Sequence, residues 1–123
     1  MSGLVAIASS APVSTEGLIK ATKALVHRGP DAFNTWISPR KHVGFGHARL
    51  AVIDVAAGNH PLANEDEQIH VVVDGAFYEH ERIRRELIAS GHRLRTLSDS
   101  EILVHLYEDR GISCLQQLRG EFA

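Results

Sequence analysis

Two β-prone runs joined by a short turn constrain this chain more than any other feature. Residues 33–37 (FNTWI) alternate as a strand does, residues 38–41 (SPRK) turn, and residues 43–54 (VGFGHARLAVID) form a second β-prone run. The pair reads as an antiparallel hairpin. With amphipathic helices around it rather than regular βαβ units, the chain is expected to be α+β.

The flanking segments agree with that class. Residues 4–8 (LVAIA) are short and apolar, as a buried strand is. Over residues 15–26, Leu18, Ile19, Ala21, Leu25 and Val26 fall at helical spacing, and Gly29-Pro30 supplies a C-cap and a stop. Residues 56–67 form a polar loop, and residues 69–74 (IHVVVD) a central strand that Gly75 ends. Residues 79–90 form an amphipathic helix with Ile83, Leu87 and Ile88 inward, and with Arg82, Arg84 and Arg85 on a solvated face. Residues 94–97 suggest a short strand. Ser98-Asp99-Ser100-Glu101 reads as a capping box opening a helix that carries Ile102, Leu103, Leu106 and Tyr107 and ends at Gly111. A short helical stretch follows at 114–118, and residues 121–123 begin a further strand.

A chain of 123 residues supports one core and at most one domain. A formal net charge of -2 gives no field suited to nucleic acid or an anionic membrane. No apolar run approaches the roughly 20 residues of a membrane span, and the start lacks the pattern of a signal peptide. Cys114 is alone, so no internal disulfide forms and a cytoplasmic location is expected.

Residue types alone point to little chemistry. The eight histidines (27, 42, 47, 60, 70, 80, 92 and 105) include no pair four apart with glutamate between, and no cysteine pair joins them. They read as surface or locally bonded side chains, with no metal site. Cys114 reads as a small buried hydrophobe. Gly44-Phe45-Gly46 lies inside a strand, where glycine permits close approach rather than phosphate binding. Ser2 is either a nucleophile exposed by loss of Met1 or a small residue before the first strand. Arg49 interrupts an apolar strand, Asp74-Gly75 ends one, and Asp99 sits at a helix start; each alone fits a paired arginine, a turn and a capping acid.

Together these placements carry a resemblance. HRGPD at 27–31, GHARLAVID at 46–54, GNHPL at 58–62, DGAFYEH at 74–80, RLRTLSDSE at 93–101 and LRGEFA at 118–123 resemble, in order and spacing, the glutamine-hydrolysing domain of asparagine synthetases. That family is a class II amidotransferase of the N-terminal-nucleophile type. The resemblance implies an αββα four-layer sandwich of which residues 1–123 form an incomplete part, truncated at the C-terminal end. It also implies a separate synthetase domain, absent from this chain together with its ATP and Mg; no serine-glycine-glycine phosphate loop occurs here. No cofactor is expected in this chain. Glutamine or a related amino acid, and a synthetase domain or chain, are the implied partners.

The family's nucleophile is a cysteine whose own α-amine, with a reference pKa of about 8, acts as base. An asparagine side chain and a glycine N–H hold the oxyanion. Carried over by position, Arg49 matches the carboxylate-binding arginine, Asp99 the acid holding the substrate amine, and Gly75 the backbone half of the oxyanion hole. Three positions depart. Ser2 stands in the nucleophile's place, and its hydroxyl is far less acidic than a thiol. Asp74 replaces the oxyanion asparagine, and an ionised carboxylate cannot donate a hydrogen bond. Ala76 replaces a glutamate of the amine pocket. The expectation is a domain impaired in glutamine hydrolysis. The alternatives are an N-terminal-serine amidohydrolase using Ser2 and a non-catalytic interaction module.

Overall fold

The computed structural model describes residues 2–51 and 60–123. They fall into two compact units, one of residues 2–51, 60–61 and 72–74, the other of residues 62–71 and 75–123. Among the described residues no helix is long and apolar enough to cross a membrane.

The first unit is built on the hairpin. β1 (Gly3–Ala8), β2 (Ala32–Ile37) and β3 (Val43–Arg49) form an antiparallel sheet in the order β1-β3-β2. Gly3 pairs with Ala48 on one side of β3, and Ala32 with Arg49 on the other. The cross-strand pair Trp36–Phe45 places its rings 5.6 Å apart. The second β-prone run therefore ends as a strand at Arg49; the expected continuation through 52–54 lies outside the described residues, as do positions 56–59 of the expected loop.

α1 (Thr15–Lys23) packs on β3. Ser14 caps it, its hydroxyl accepting from the Gly17 N–H at 3.0 Å. Leu18 and Thr22 are its buried residues. Both glycines flanking Phe45 lie beneath this helix: a Cβ on Gly44 would fall 2.9 Å from Val13 Cγ1, and one on Gly46 would overlap the Thr22 hydroxyl. Close approach is thus the reason for glycine here, as expected. The helix is shorter than its apolar spacing suggests. It caps at Ala24, turns carry the chain through 24–28, and Val26 is exposed. Gly29 is not the C-cap. A Cβ on it would collide with the Ala48 carbonyl, so glycine lets the HRGPD turn press onto β3.

The second unit pairs β4 (Leu62–Ala63) with β5 (His70–Val71) and β6 (Gly75–Phe77) with β7 (Gly120–Phe122), both antiparallel. The expected central strand over 69–74 is therefore a two-residue strand, and part of the polar loop is its partner. Gly75 opens a strand rather than stopping one, at φ 139°. α2 (His80–Ala89) and α3 (Ile102–Arg110) pack together and bury Ile83, Leu87, Ile102, Val104 and Leu106. Ile88, expected inward, is 52% exposed, as is Tyr107 in large part. Arg84 departs from the solvated face: its NH1 is buried. Cys114 is buried in a 3-10 turn, Gly111–Gln117, and burial pushes its thiol pKa up.

Residues 94–97 form no strand. Their backbone donors go instead to the buried Glu101 carboxylate, which accepts from Arg95 N–H at 2.5 Å, Thr96 N–H at 2.7 Å and the Thr96 hydroxyl at 2.6 Å. Burial would raise the Glu101 pKa, but the facing His105 ring and these donors hold it at about 2. The capping box is accordingly half made. Ser98 accepts from Ser100 N–H at 3.3 Å, while Glu101 turns away from Ser98 to the preceding loop.

Candidate functional site

In the first unit the N-terminus and the end of β3 meet. Extending the Gly3–Ala48 pairing by one residue brings Ser2 to the turn after Arg49, where its Oγ accepts from the Leu50 N–H at 2.9 Å. Ser2 is 8% exposed. Arg28, from the HRGPD turn, reaches across: its Nε donates to the Ser2 carbonyl at 2.9 Å and its NH2 to Asp74 Oδ2 at 3.3 Å. One guanidinium thus holds position 2 and position 74 together. The second oxygen of Asp74, Oδ1, is buried with no hydrogen-bond partner among the described residues.

Arg49 is 6% exposed at the end of the central strand, paired with Ala32 of β2. His47, two residues earlier, stacks on His60 with ring centroids 4.3 Å apart. His60 Nδ1 accepts from the Val73 N–H at 3.2 Å, which makes that ring neutral at Nδ1. Burial lowers the His47 pKa; the Val73 backbone and the Asp74 charge oppose this, and Arg49 adds to it. Ser2, Arg28, His47, Arg49, His60 and Asp74 are therefore features of one unit. In the sequence Arg28 reads only as part of a turn, and His47 and His60 as surface or locally bonded residues. The signal for all three is their place inside the motifs HRGPD, GHARLAVID and GNHPL.

In the second unit Gly75, Ala76 and Asp99 come together. Ala76 pairs with Glu121 across β6 and β7, and a Cβ on Gly75 would collide with the Glu121 carbonyl. The residue after Ala76, Phe77, donates its N–H to Asp99 Oδ2 at 2.7 Å. Asp99 is 5% exposed and opens the 3-10 turn Asp99–Glu101 ahead of α3. Its carboxylate thus anchors the strand that carries positions 75 and 76, a contact not legible in the spacing of SDSE.

The sequence model of a family described as "Glutamine amidotransferase domain" matches residues 1–123. The chain is 43% identical over 109 residues to "Amidase chry2" of Gibberella zeae, covering 88% of this chain and 16% of that protein. It is 44% identical over 109 residues to the glutamine-hydrolyzing asparagine synthetase of Sandersonia aurantiaca, covering 86% and 19%. It is 39% identical over 127 residues to a probable glutamine-hydrolyzing asparagine synthetase of Dictyostelium discoideum, covering 100% and 22%. The chain spans about a fifth of the length of these curated relatives. With a family match from its first residue to its last and asparagine synthetases among its relatives, this chain belongs to the glutamine amidotransferase domain family.

Proposed function

We propose that this domain binds an amino acid or amide but is impaired in glutamine hydrolysis, and that it supports a synthetase domain supplied with free ammonia or another amine. The reading takes the domain as part of an αββα sandwich of the N-terminal-nucleophile type. By family position, Ser2 stands for the nucleophile, Asp74 and Gly75 for the oxyanion-hole residues, and Arg49, Asp99 and Ala76 for the substrate-binding residues.

The observation that carries it is the orphan oxygen of Asp74. Glutamine hydrolysis develops negative charge on the amide oxygen, and catalysis needs a donor aimed there. A carboxylate offers only acceptors and repels that charge. Loss of one such donor costs about 10²–10³ in rate before repulsion is counted. Ser2 compounds the loss, because an α-amine activates a hydroxyl poorly. Arg49 keeps a planar fork suited to a substrate carboxylate. The names of the asparagine synthetase relatives support glutamine as the parent substrate.

The test is restoration. Glutamate release from L-glutamine is measured for the unmodified protein and for the Ser2→Cys/Asp74→Asn/Ala76→Glu variant. Hydrolysis that appears only in the variant supports the reading. Equal hydrolysis by both overturns it, and so does a folded variant that stays inert while the unmodified protein turns glutamine over.

A further inference from the structure

Four side chains of the second unit converge away from the positions discussed so far. Glu65 follows β4, His92 follows α2, and His105 and Glu108 sit three apart on one face of α3. One ligand atom from each lies within 4.8 Å of the others. His92 Nδ1 is 3.2 Å from His105 Nδ1, 3.3 Å from Glu65 Oε1 and 3.8 Å from Glu108 Oε2. His105 Nδ1 is 3.3 Å from Glu65 Oε2. A tetrahedral zinc ion with bonds of about 2.0–2.1 Å sets its ligand atoms about 3.3–3.4 Å apart. The nitrogen–nitrogen contact at 3.2 Å and the two contacts to Glu65 at 3.3 Å, which end on different oxygens of its carboxylate, lie close to that length.

The outer contacts point the same way. His92 Nε2 faces Asp109 Oδ1 at 3.0 Å, and His105 Nε2 faces Glu101 Oε1 at 3.6 Å. Asp109 behind the His92 ring keeps that proton on Nε2 and turns the Nδ1 lone pair inward, as outer partners of metal-bound histidines do, while His105 Nε2 is buried beyond hydrogen-bond distance of Glu101. Glu65 is oriented by the Arg93 N–H at 2.7 Å and Glu108 by Asn64 Nδ2 at 3.1 Å. With protons on both Nε2 atoms, four acceptors converge on one point. His105 is fully buried, so this convergence is not dispersed in solvent. An open cleft of about 470 Å³ lined by Glu65, Asp66, His92, Arg93, Glu108 and Asp109 leads to it.

We propose that Glu65, His92, His105 and Glu108 form a binding site for one divalent transition-metal ion, with zinc the best fit. Two imidazoles favour zinc and its neighbours over magnesium or calcium, which prefer all-oxygen sites. Four protein ligands leave no open position, so the ion is structural and ties the loops at 65 and 92 to α3.

The test is calorimetric titration of ZnCl₂ into the chelator-treated 123-residue chain, with folding checked by circular dichroism. One ion per chain is expected, unaffected by excess MgCl₂ or CaCl₂. Glu108→Gln, at the exposed edge, weakens binding at least about 100-fold, and Asp109→Asn, which removes only an outer partner, about 10-fold. CoCl₂ in place of zinc gives the intense visible absorption of four-coordinate cobalt. A folded chain that takes up no zinc overturns the proposal, because the short nitrogen–nitrogen contact is then held by a proton. Undiminished binding by folded Glu108→Gln overturns it equally.

Discussion

Arg28 and Asp74 are joined at 3.3 Å, with the same guanidinium holding the Ser2 carbonyl at 2.9 Å. Two positions separated by 72 residues are thereby held by a single side chain. The Arg28 side chain is 42% exposed and that of Asp74 10%, so solvent screens the pair from one side only. Arg28→Ala is expected to cost about 1–2 kcal/mol, mainly by leaving the Asp74 carboxylate without its donor. Urea unfolding measures it. In an Asp74→Asn background the same change costs less, and equal costs in both backgrounds would show that the pair is not coupled.

Gly29 presses against the backbone of Ala48 with no room for a side chain. Gly29→Ala must displace the HRGPD turn from β3, at about 3 kcal/mol or more. Because Arg28 is the preceding residue, the variant is also expected to loosen the Ser2 contact. A denaturation midpoint unchanged from the parent would contradict the close approach.

Glu101 collects three donors from residues 95 and 96 while 1% exposed. Removing it orphans those donors and the facing His105 ring together. Glu101→Ala is expected to destabilise by about 3–5 kcal/mol. Glu86→Ala, on the exposed side of α2, is the control; its ion pair with Arg82 is a surface pair worth under about 1 kcal/mol.

The pH response of the first unit follows from His47. Its folded pKa lies below 6.5 because of burial, so the unfolded chain takes up the proton first. Stability is flat above 6.5 and falls as pH drops through 6.5 toward the folded value. The groups acting on the ring are Asp74, Arg49, the Val73 backbone and His60. His47→Gln removes up to one proton from the difference, flattening the slope below pH 6.5 by at most about 1.4 kcal/mol per pH unit. An unchanged slope would mean that the ring is not buried neutral.

Local chemistry explains what could be read from the sequence. The hairpin and the stop at Gly111 each depend on neighbours in sequence, and each is found. Other failures are long-range. Residues 94–97 have strand-like composition, but Glu101 takes their donors. Residues 69–74 look like a central strand, yet pair only at 70 and 71. The four side chains of the proposed metal site come from three segments, so no spacing rule finds them. Arg28 reads as punctuation until the fold brings it to Ser2 and Asp74. The family resemblance supplied positions 2, 49, 74, 75, 76 and 99; the packing around them came only with the structure.

The central claim is that positions 2, 74 and 76 no longer support glutamine hydrolysis. Its most direct test is the rate of glutamate release from L-glutamine by the unmodified protein, after intact-mass measurement confirms that Met1 has been removed and the Ser2 amine is free. Release no faster than in a Ser2→Ala control is expected. Sustained turnover that Ser2→Ala abolishes would contradict it and establish Ser2 as a working nucleophile.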